Sequence, residues 1–144
     1  MTPPWLFLIS LLLGIALEFV FPTRLAEGSA GMIAGSLLIA SGLAFVLWSG
    51  AVFKRMQTAI EPGSRPSMFA TSGPYQWSRN PMYLGLAVIH FGIALIVNSV
   101  WLFLTTFMVL VALDRRIVPR EEALLGEMYP EEYAKYRRRV RRWF

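Results

Sequence analysis

Four long apolar runs divide the chain, and polar or turn-forming segments separate them. The runs cover residues 5–21, 30–53, 81–97 and 100–113. A run of about 20 apolar residues can cross a bilayer as a helix, because a helix satisfies its own backbone hydrogen bonds in lipid. The pattern therefore predicts an all-α integral membrane protein with four transmembrane helices, called spans one to four here.

The segments between the runs predict how the spans are connected. Residues 54–80 contain repeated Pro and Gly, which oppose a continuous helix and predict a long loop. Asn98 and Ser99 are the only turn-forming pair near the middle of residues 81–113, so spans three and four should form a tight helical hairpin. This arrangement places both ends of the hairpin at the same side of the bilayer.

The last part of the chain, residues 114–144, is polar and basic and predicts a short helical tail. Pro130 should end one tail helix and begin the next. About 60 residues remain outside the four spans, which leaves no room for a separate soluble domain. Residues 1–144 are therefore expected to form a single domain.

Composition agrees with a membrane setting and removes several classes of site. Hydrophobic residues make up 56% of the chain and charged residues only 16%, too few polar groups to cover a soluble globule. The absence of cysteine excludes a disulfide framework, a thiolate metal site and a cysteine nucleophile. No metal site is predicted. The first residues lack the basic start of a secretory signal, so span one is expected to be retained.

Charge is distributed very unevenly between the two sides of the predicted bundle. Of the 14 Lys and Arg residues, only Arg24 lies between spans one and two, and the other 13 lie in the long loop and the tail. This asymmetry predicts that the loop, the tail and both termini are cytoplasmic, with a bacterial inner membrane as the expected location. In that setting the net charge of +5 favours anionic lipid headgroups as partners over nucleic acid.

Two ionisable residues lie within the predicted spans, and each allows two interpretations. Glu18 lies near the end of span one and could reach the interface or pair with another helix. His90 lies inside span three and could relay protons or serve as a hydrogen-bonded packing residue. In span two, small residues such as Gly35 and Gly42 recur at helical spacing, which favours close helix packing over chemistry.

Two segments that flank the hairpin carry more polar and aromatic residues than interface anchoring requires. In residues 71–85, Pro81 suits the first position of a helix, so Arg79 and Asn80 precede a helix N-terminus that favours a carboxylate or phosphate. In residues 120–136, Glu121 and Glu122 follow span four and should return to the side of Arg79. A zwitterionic, aromatic ligand would suit such a site, although interface caps and lipid-binding charges would explain it equally well.

The order of these motifs resembles the isoprenylcysteine carboxyl methyltransferase family over about residues 45–142. The resemblance rests on Gly-Pro-Tyr at 73–75, Ser-Arg-Asn-Pro-Met-Tyr-Leu-Gly at 78–85, Glu-Glu at 121–122 and Tyr-x-x-Tyr at 133–136. Phospholipid N-methyltransferases are more distantly similar. The resemblance implies a helical membrane enzyme that transfers a methyl group from S-adenosylmethionine to a lipophilic acceptor from the bilayer.

The resemblance also implies which residues bind the cofactor. The tyrosine rings would contact adenine or the sulfonium, Glu121 would accept from ribose or the amino group, and Arg79 and Asn80 would hold the methionyl carboxylate. The expected cofactor-binding residues are Ser67, Met68, Phe69, Ala70, Tyr75, Arg79, Asn80, Pro81, Met82, Tyr83 and Glu121.

Two residues depart from the family pattern, one in the expected cofactor site and one where the acceptor is expected to bind. Asn80 stands where eukaryotic members usually have His, and Ile117 stands where the substrate-contacting arginine is expected, with Arg116 beside it. Arg116 and Glu122 are the expected catalytic residues. A lipophilic carboxylate, as in isoprenylcysteine, is the favoured acceptor. An amine, as in phospholipid N-methylation, would need a base, for which Glu122 and His90 are the candidates.

Two further functions stay open on the sequence. An NADPH-dependent reductase of the sterol type would share a similar hairpin and tail, yet a dinucleotide would need more arginines than the single Arg79 within residues 67–83. A non-catalytic lipid-binding protein would use only the tail arginines and the small residues of span two. The oligomeric state is not predicted.

Overall fold

The computed structural model describes residues 3–25, 30–58 and 69–144, and all regular structure in these ranges is helical. The α-helices are α1 Pro3–Val20, α2 Ala30–Thr58, α3 Pro81–Val97, α4 Val100–Ala112, α5 Val118–Met128 and α6 Pro130–Arg139. A 3₁₀ turn covers Gly73–Gln76, and a π-helical turn covers Leu113–Ile117. The prediction of an all-α fold is confirmed for the residues that the structure describes.

The hairpin of α3 and α4 turns at the predicted residues. Helix α3 starts at Pro81, where a missing N–H costs nothing, and Asn98 ends it in the left-handed conformation with φ of 59°. The Ser99 side chain then accepts a hydrogen bond of 3.3 Å from the backbone N–H of Leu102 and caps α4. The local sequence therefore fixes both ends of the turn.

Helix α4 continues into the tail through the π-helical turn, without a break at Asp114. Pro119 has no N–H to donate, and its ring would clash with the carbonyl of Arg115 in a regular α-helix. The backbone N–H of Val118 bonds instead to the carbonyl of Leu113, five residues earlier. Proline thus widens one turn, and α5 follows on from α4.

The helices pack in the order α2, α3, α4 and α1, with α3 near the centre. His90 on α3 also reaches α1, since its Nε2 lies 2.9 Å from the Phe7 carbonyl and its ring lies 5.1 Å from the Phe7 ring. Both contacts are with α1 itself, which supports the packing interpretation of His90.

The close contact of α2 and α3 depends on facing glycines. A Cβ atom on Gly92 would lie 2.6 Å from the Gly35 carbonyl oxygen, and one on Gly85 would lie 3.0 Å from the Gly42 carbonyl oxygen. Separations this short leave no room for a methyl group, so the two backbones touch directly. The small residues that the sequence marks for packing are confirmed in that role at Gly35 and Gly42.

The outward surface of the helices is apolar, as expected for contact with lipid. Side chains such as Phe19, Ile33, Leu37 and Met108 are largely exposed. Among the described residues, α2 is the one helix long and apolar enough to cross a bilayer, whereas α1 and α3 are shorter apolar helices. These features indicate a membrane protein, and four crossings stay a prediction.

The helix ends separate into two groups. At one end, the Leu25 backbone N–H donates to the Asn98 side chain at 2.9 Å, and the Trp101 indole donates to the Phe21 carbonyl at 2.8 Å. Glu18 caps this end by accepting from Thr23. The start of α3, the end of α4 and the tail lie at the opposite end, as the hairpin predicts.

The glycine contact gives a direct test of the packing. Gly92→Ala should destabilise the protein by about 1–3 kcal/mol, because the new methyl group meets the α2 backbone. Gly50→Ala is the matched control on α2, since a Cβ there meets nothing within 4 Å. It should be neutral or stabilising by up to about 1 kcal/mol. Thermal unfolding in detergent measures both, and equal effects would contradict the described packing.

Candidate functional site

Tyr83 and Glu121 form a direct contact between the first turn of α3 and the tail. The Tyr83 hydroxyl donates to Glu121 Oε1 at 2.8 Å. Burial raises the pKa of the Glu121 carboxyl above its usual range, and the hydrogen bond from Tyr83 opposes this effect only in part. The site therefore holds a half-buried carboxylate with an increased affinity for a proton.

The neighbouring carboxylate, Glu122, binds two guanidinium groups. Its Oε1 lies 2.9 Å from Arg79 Nη1, and its Oε2 lies 2.9 Å from Arg142 Nη2. The side chains of Arg79 and Glu122 are each only 10% exposed, so this ion pair is shielded from water. Arg79 Nε is buried without a hydrogen-bond partner among the residues that the structure describes.

Asp114 extends this group of charges toward the end of α4. Its Oδ1 accepts from Arg142 Nη1 at 3.0 Å and from the Trp143 indole at 2.9 Å. The hydrogen bonds from Trp143 and Arg142 hold the pKa of Asp114 below its usual range. The carboxylates of Glu122 and Asp114 raise the pKa of Arg142, which therefore stays charged. Arg142 thus joins α5 to the π-helical turn.

The last residues of the chain lie over the start of α3. The carbonyl of Arg142 accepts from Ser78 Oγ and from Asn80 Nδ2, both at 3.1 Å. The backbone N–H of Arg79 donates to the Arg141 carbonyl at 3.0 Å. Main-chain oxygens therefore occupy the donors that the sequence assigns to a ligand carboxylate at this helix N-terminus.

An aromatic cluster joins the 3₁₀ turn to α6. The Phe69 ring centroid lies 5.2–5.6 Å from those of Tyr129, Tyr133 and Tyr136. The Tyr136 hydroxyl donates to the Tyr75 carbonyl at 2.7 Å. Burial raises the pKa of Tyr136 above its usual range, so its hydroxyl stays protonated and able to donate. The cluster fixes the segment after residue 68 against the tail.

A cavity of about 610 Å³ with a mixed polar and apolar wall lies between α5 and α6. Its wall includes Glu122, Tyr133, Arg137, Arg138 and Arg142. Its volume lies within the range of small-molecule sites. Neither Tyr83 nor Glu121 lines it, so the Tyr83–Glu121 contact is not part of its wall.

Comparison with known families matches residues 30–132 to the model described as phospholipid methyltransferase. This segment covers well over half of the chain and contains the contacts of Tyr83 with Glu121 and of Arg79 with Glu122. The chain belongs to the phospholipid methyltransferase family. No curated protein and no solved structure matches it. Family membership implies a membrane-associated methyltransferase. This confirms the prediction that the protein is a methyltransferase of the membrane.

The phospholipid methyltransferase match includes all of the predicted site residues. The structure brings Phe69, Tyr75, Arg79, Asn80, Tyr83, Glu121 and Glu122 to the same end of the helices. Ala70 and Pro81 are buried, and Met82 is partly exposed. Ser67 and Met68 lie outside the described residues. Arg116 is exposed on the π-helical turn, and among the described residues no hydrogen bond or ion pair joins it to the rest of the predicted site.

Seven residues of this arrangement were not predicted as site residues: Ser78, Asp114, Tyr129, Tyr133, Tyr136, Arg142 and Trp143. The positive charge was expected to favour anionic lipid headgroups, yet Arg142 bonds to Asp114, as does the neighbouring Trp143. These contacts depend on how α6 folds back on α5 after Tyr129, which residue spacing alone does not reveal. The only available signal was the position of Trp143, directly after the basic run.

Removal of Arg142 should show whether these ion pairs hold the tail in place. Arg142→Ala leaves Glu122 and Asp114 with fewer partners and should cost about 1–3 kcal/mol, less than a fully buried pair because Arg142 is 30% exposed. Arg141→Ala, at an exposed neighbour, is the control and should change stability by under about 0.5 kcal/mol. Thermal unfolding in detergent compares them. Equal stability of the two variants would contradict the assigned role.

Proposed function

We propose that this protein transfers a methyl group from S-adenosylmethionine to a lipophilic acceptor at the tail end of the helices. The observation that carries the proposal is the 2.8 Å contact of Tyr83 with Glu121 inside the segment matched to the methyltransferase family. When bound, S-adenosylmethionine supplies a methyl group activated by a positively charged sulfur. The family match favours this function over NADPH-dependent reduction and over lipid binding alone.

The residues present suit this cofactor. A sulfonium ion is stabilised by a carboxylate and by aromatic rings, and Glu121, Tyr83 and Tyr75 provide these groups around the first turn of α3. Half-burial excludes much of the water that would compete for a cation. The chain's own role is therefore to bind and orient the cofactor and to exclude water from the reacting atoms.

The acceptor that the geometry favours is an amine. The two guanidinium groups of the charge cluster, Arg79 and Arg142, are engaged by Glu122, so neither is free to orient a carboxylate acceptor. An amine must lose a proton, and Glu121 is the carboxylate whose burial increases its proton affinity. The carboxylate acceptor of the isoprenylcysteine type stays a prediction that the same assays can test.

When bound, S-adenosylmethionine would supply the methyl group to the amine nitrogen, and its sulfur would leave as a neutral thioether with the electron pair of the broken bond. The Glu121 carboxylate would take the proton that the amine loses. Tyr83 orients this carboxylate through its hydrogen bond. Glu122, which the sequence suggested as the base, instead positions Arg79 and Arg142 in this proposal.

The proposal also includes the orientation in the membrane. The end of the helices that carries the tail would face the cytoplasm, with the four apolar helices crossing a bacterial inner membrane. The positive charges concentrated at this end support that orientation. A soluble cofactor would then reach the site from the cytoplasm, and the acceptor would enter from the bilayer.

Calorimetric titration with S-adenosylhomocysteine tests the cofactor proposal. The purified protein should bind it, and Glu121→Gln and Tyr83→Phe should each weaken binding about tenfold, because Glu121, held by Tyr83, is expected to accept a hydrogen bond from the ribose or the amino group that S-adenosylhomocysteine shares with the methyl donor. Glu127→Gln is the matched control, since Glu127 is an exposed glutamate of the same helix. It should bind like the wild type.

A folded wild-type sample that fails to bind S-adenosylhomocysteine, in lipid as well as in detergent, would refute the methyltransferase proposal. Titration with NADPH under the same conditions would then test the reductase alternative.

The role of Glu121 predicts a change in the pH dependence of methyl transfer. Only the ionised carboxylate accepts a proton, so kcat/KM for the acceptor should fall as pH decreases through the raised pKa of Glu121. The hydrogen bond from Tyr83 lowers that pKa, so Tyr83→Phe should shift the acidic limb to higher pH. The profile is measured at saturating cofactor with an amine-bearing lipid. A shift to lower pH, or no shift, would contradict the role of Glu121 as the proton acceptor.

A further inference from the structure

The cavity between α5 and α6 has no role in the proposed methyl transfer. Its volume of about 610 Å³ is large enough for a small organic molecule. Among the described residues, no Leu, Ile, Val, Met or Phe lines it, and the small side chains of Ala123, Gly126 and Ala134 leave it open. An acyl chain would find little apolar surface there, so the wall favours a water-soluble ligand.

The side chains of the wall offer hydrogen-bond donors rather than acceptors. Glu122 is the one carboxylate among the described residues that line the cavity, and its two oxygens already accept from Arg79 and Arg142 at 2.9 Å. The Tyr133 hydroxyl accepts from Arg79 Nη1 at 3.5 Å, and it donates no hydrogen bond within the described part of the chain. A ligand rich in acceptor oxygens would complement such a wall.

Two guanidinium groups of the wall have no anionic partner. Arg137 and Arg138 line the cavity, and neither makes a hydrogen bond or an ion pair with any residue that the structure describes. The other acidic residues of α5 and α6 lie outside the wall, namely Glu121, Glu127, Glu131 and Glu132. Two positive charges therefore remain beside the cavity, and a ligand with two negative charges would balance them.

We propose that this cavity binds a water-soluble phosphate monoester, with its phosphate on Arg137 and Arg138 and its organic part against Ala123 and Ala134. A phosphate monoester carries about two negative charges near neutral pH and several acceptor oxygens, which guanidinium groups bind in pairs. The phosphate diester of a membrane phospholipid carries less charge and is attached to acyl chains, so it matches this wall less well. Binding here requires no methyl transfer.

A bound ligand should also stabilise the tail. Arg142 lines the cavity and joins Glu122 on α5 to Asp114 on the π-helical turn. A ligand that contacts both α5 and α6 binds only while the two helices are packed together, so it favours the folded tail. The temperature of thermal unfolding should therefore rise as the ligand concentration increases.

Calorimetric titration of the full chain with glucose 6-phosphate tests the proposal, with glucose as the uncharged control. The wild type should bind glucose 6-phosphate and not glucose. Arg137→Gln and Arg138→Gln should each weaken binding about tenfold, because each removes a hydrogen bond between charged groups. Arg139→Gln is the matched control, since Arg139 is an exposed arginine of the same helical turn that does not line the cavity. It should bind like the wild type.

Ala123→Leu and Ala134→Leu reduce the volume of the cavity without a change in charge. Both alanines are exposed, so the fold should tolerate the larger side chains. Each variant should bind glucose 6-phosphate at least about tenfold more weakly, because leucine and the ligand would occupy the same space. If these variants bind like the wild type, or if Arg139→Gln weakens binding as much as the other two arginine variants, the proposal is overturned.

A folded wild-type sample that binds neither glucose 6-phosphate nor inorganic phosphate would also overturn it. Nanodiscs distinguish a soluble ligand from a lipid, since dioleoylphosphatidic acid carries the same phosphate monoester on acyl chains. Glucose 6-phosphate should bind equally well in nanodiscs with this lipid and in nanodiscs with an equal charge of dioleoylphosphatidylglycerol. Weaker binding with phosphatidic acid would show competition by a lipid headgroup and contradict a soluble ligand.

Titration with S-adenosylhomocysteine separates this inference from the proposed function. Its affinity should be unchanged in Arg137→Gln and Arg138→Gln and in the presence of saturating glucose 6-phosphate. Competition between the two ligands would place the cofactor in this cavity and overturn the inference. Absence of S-adenosylhomocysteine binding in the wild type would refute the methyltransferase proposal, whereas the glucose 6-phosphate titrations would still decide whether the cavity binds a phosphate monoester.

Discussion

The carboxylate of Glu122 lies between the guanidinium groups of Arg79 and Arg142, and the position of the tail depends on this contact. Helices α5 and α6 are short and polar, and α6 in particular offers few apolar side chains for packing. A shielded charge can be left unpaired only at a large energetic cost, so few alternative positions of the tail are compatible with these three groups. The ion pairs therefore contribute to a unique arrangement more than to total stability.

This constraint connects the membrane helices to the site. The glycine contact of α2 with α3 fixes α3, and α3 presents Arg79 and Tyr83 at its start. Arg79 holds Glu122, which places the preceding residue, Glu121, against Tyr83. The half-buried carboxylate on which the proposed reaction depends is thus positioned by packing in the apolar region and by charge outside it. The family match, which ends at residue 132, includes this connection but not Arg142.

The positions of the helices could be predicted from the sequence because local signals determine them. Pro81 starts α3, and Asn98 and Ser99 turn the hairpin, so the predicted and observed bounds of spans three and four agree within one residue. The return of Glu121 and Glu122 to Arg79 followed from the hairpin alone. The role of Asn80 was harder to predict. Its side chain faces the carbonyl of Arg142, 62 residues later, and no local pattern specifies such a pair.

The lack of a local pattern for contacts between distant residues also explains why the contacts of the tail were not predicted. The eight arginines of residues 114–144 predict headgroup contacts on charge alone. Arg142, which instead bonds to Glu122 and Asp114, differs from the others only in its three-dimensional position. Phe69 was expected at the cofactor, and its ring lies among three tail tyrosines, which could themselves form a cofactor surface. Aromatic residues serve packing and ligand binding equally well, so residue type cannot distinguish the two roles.

The π-helical turn between α4 and α5 rotates the side chains of α5 about the helix axis relative to those of α4. Each residue of an α-helix rotates the side-chain direction by about 100°, and a widened turn changes that phase once for everything that follows. Pro119 therefore does more than interrupt a hydrogen bond, because it sets the face on which Glu121 and Glu122 emerge from α5. The chemistry of the site is in this sense encoded as a rotation of the helix, set by a residue whose side chain has no charge and no hydrogen-bonding group.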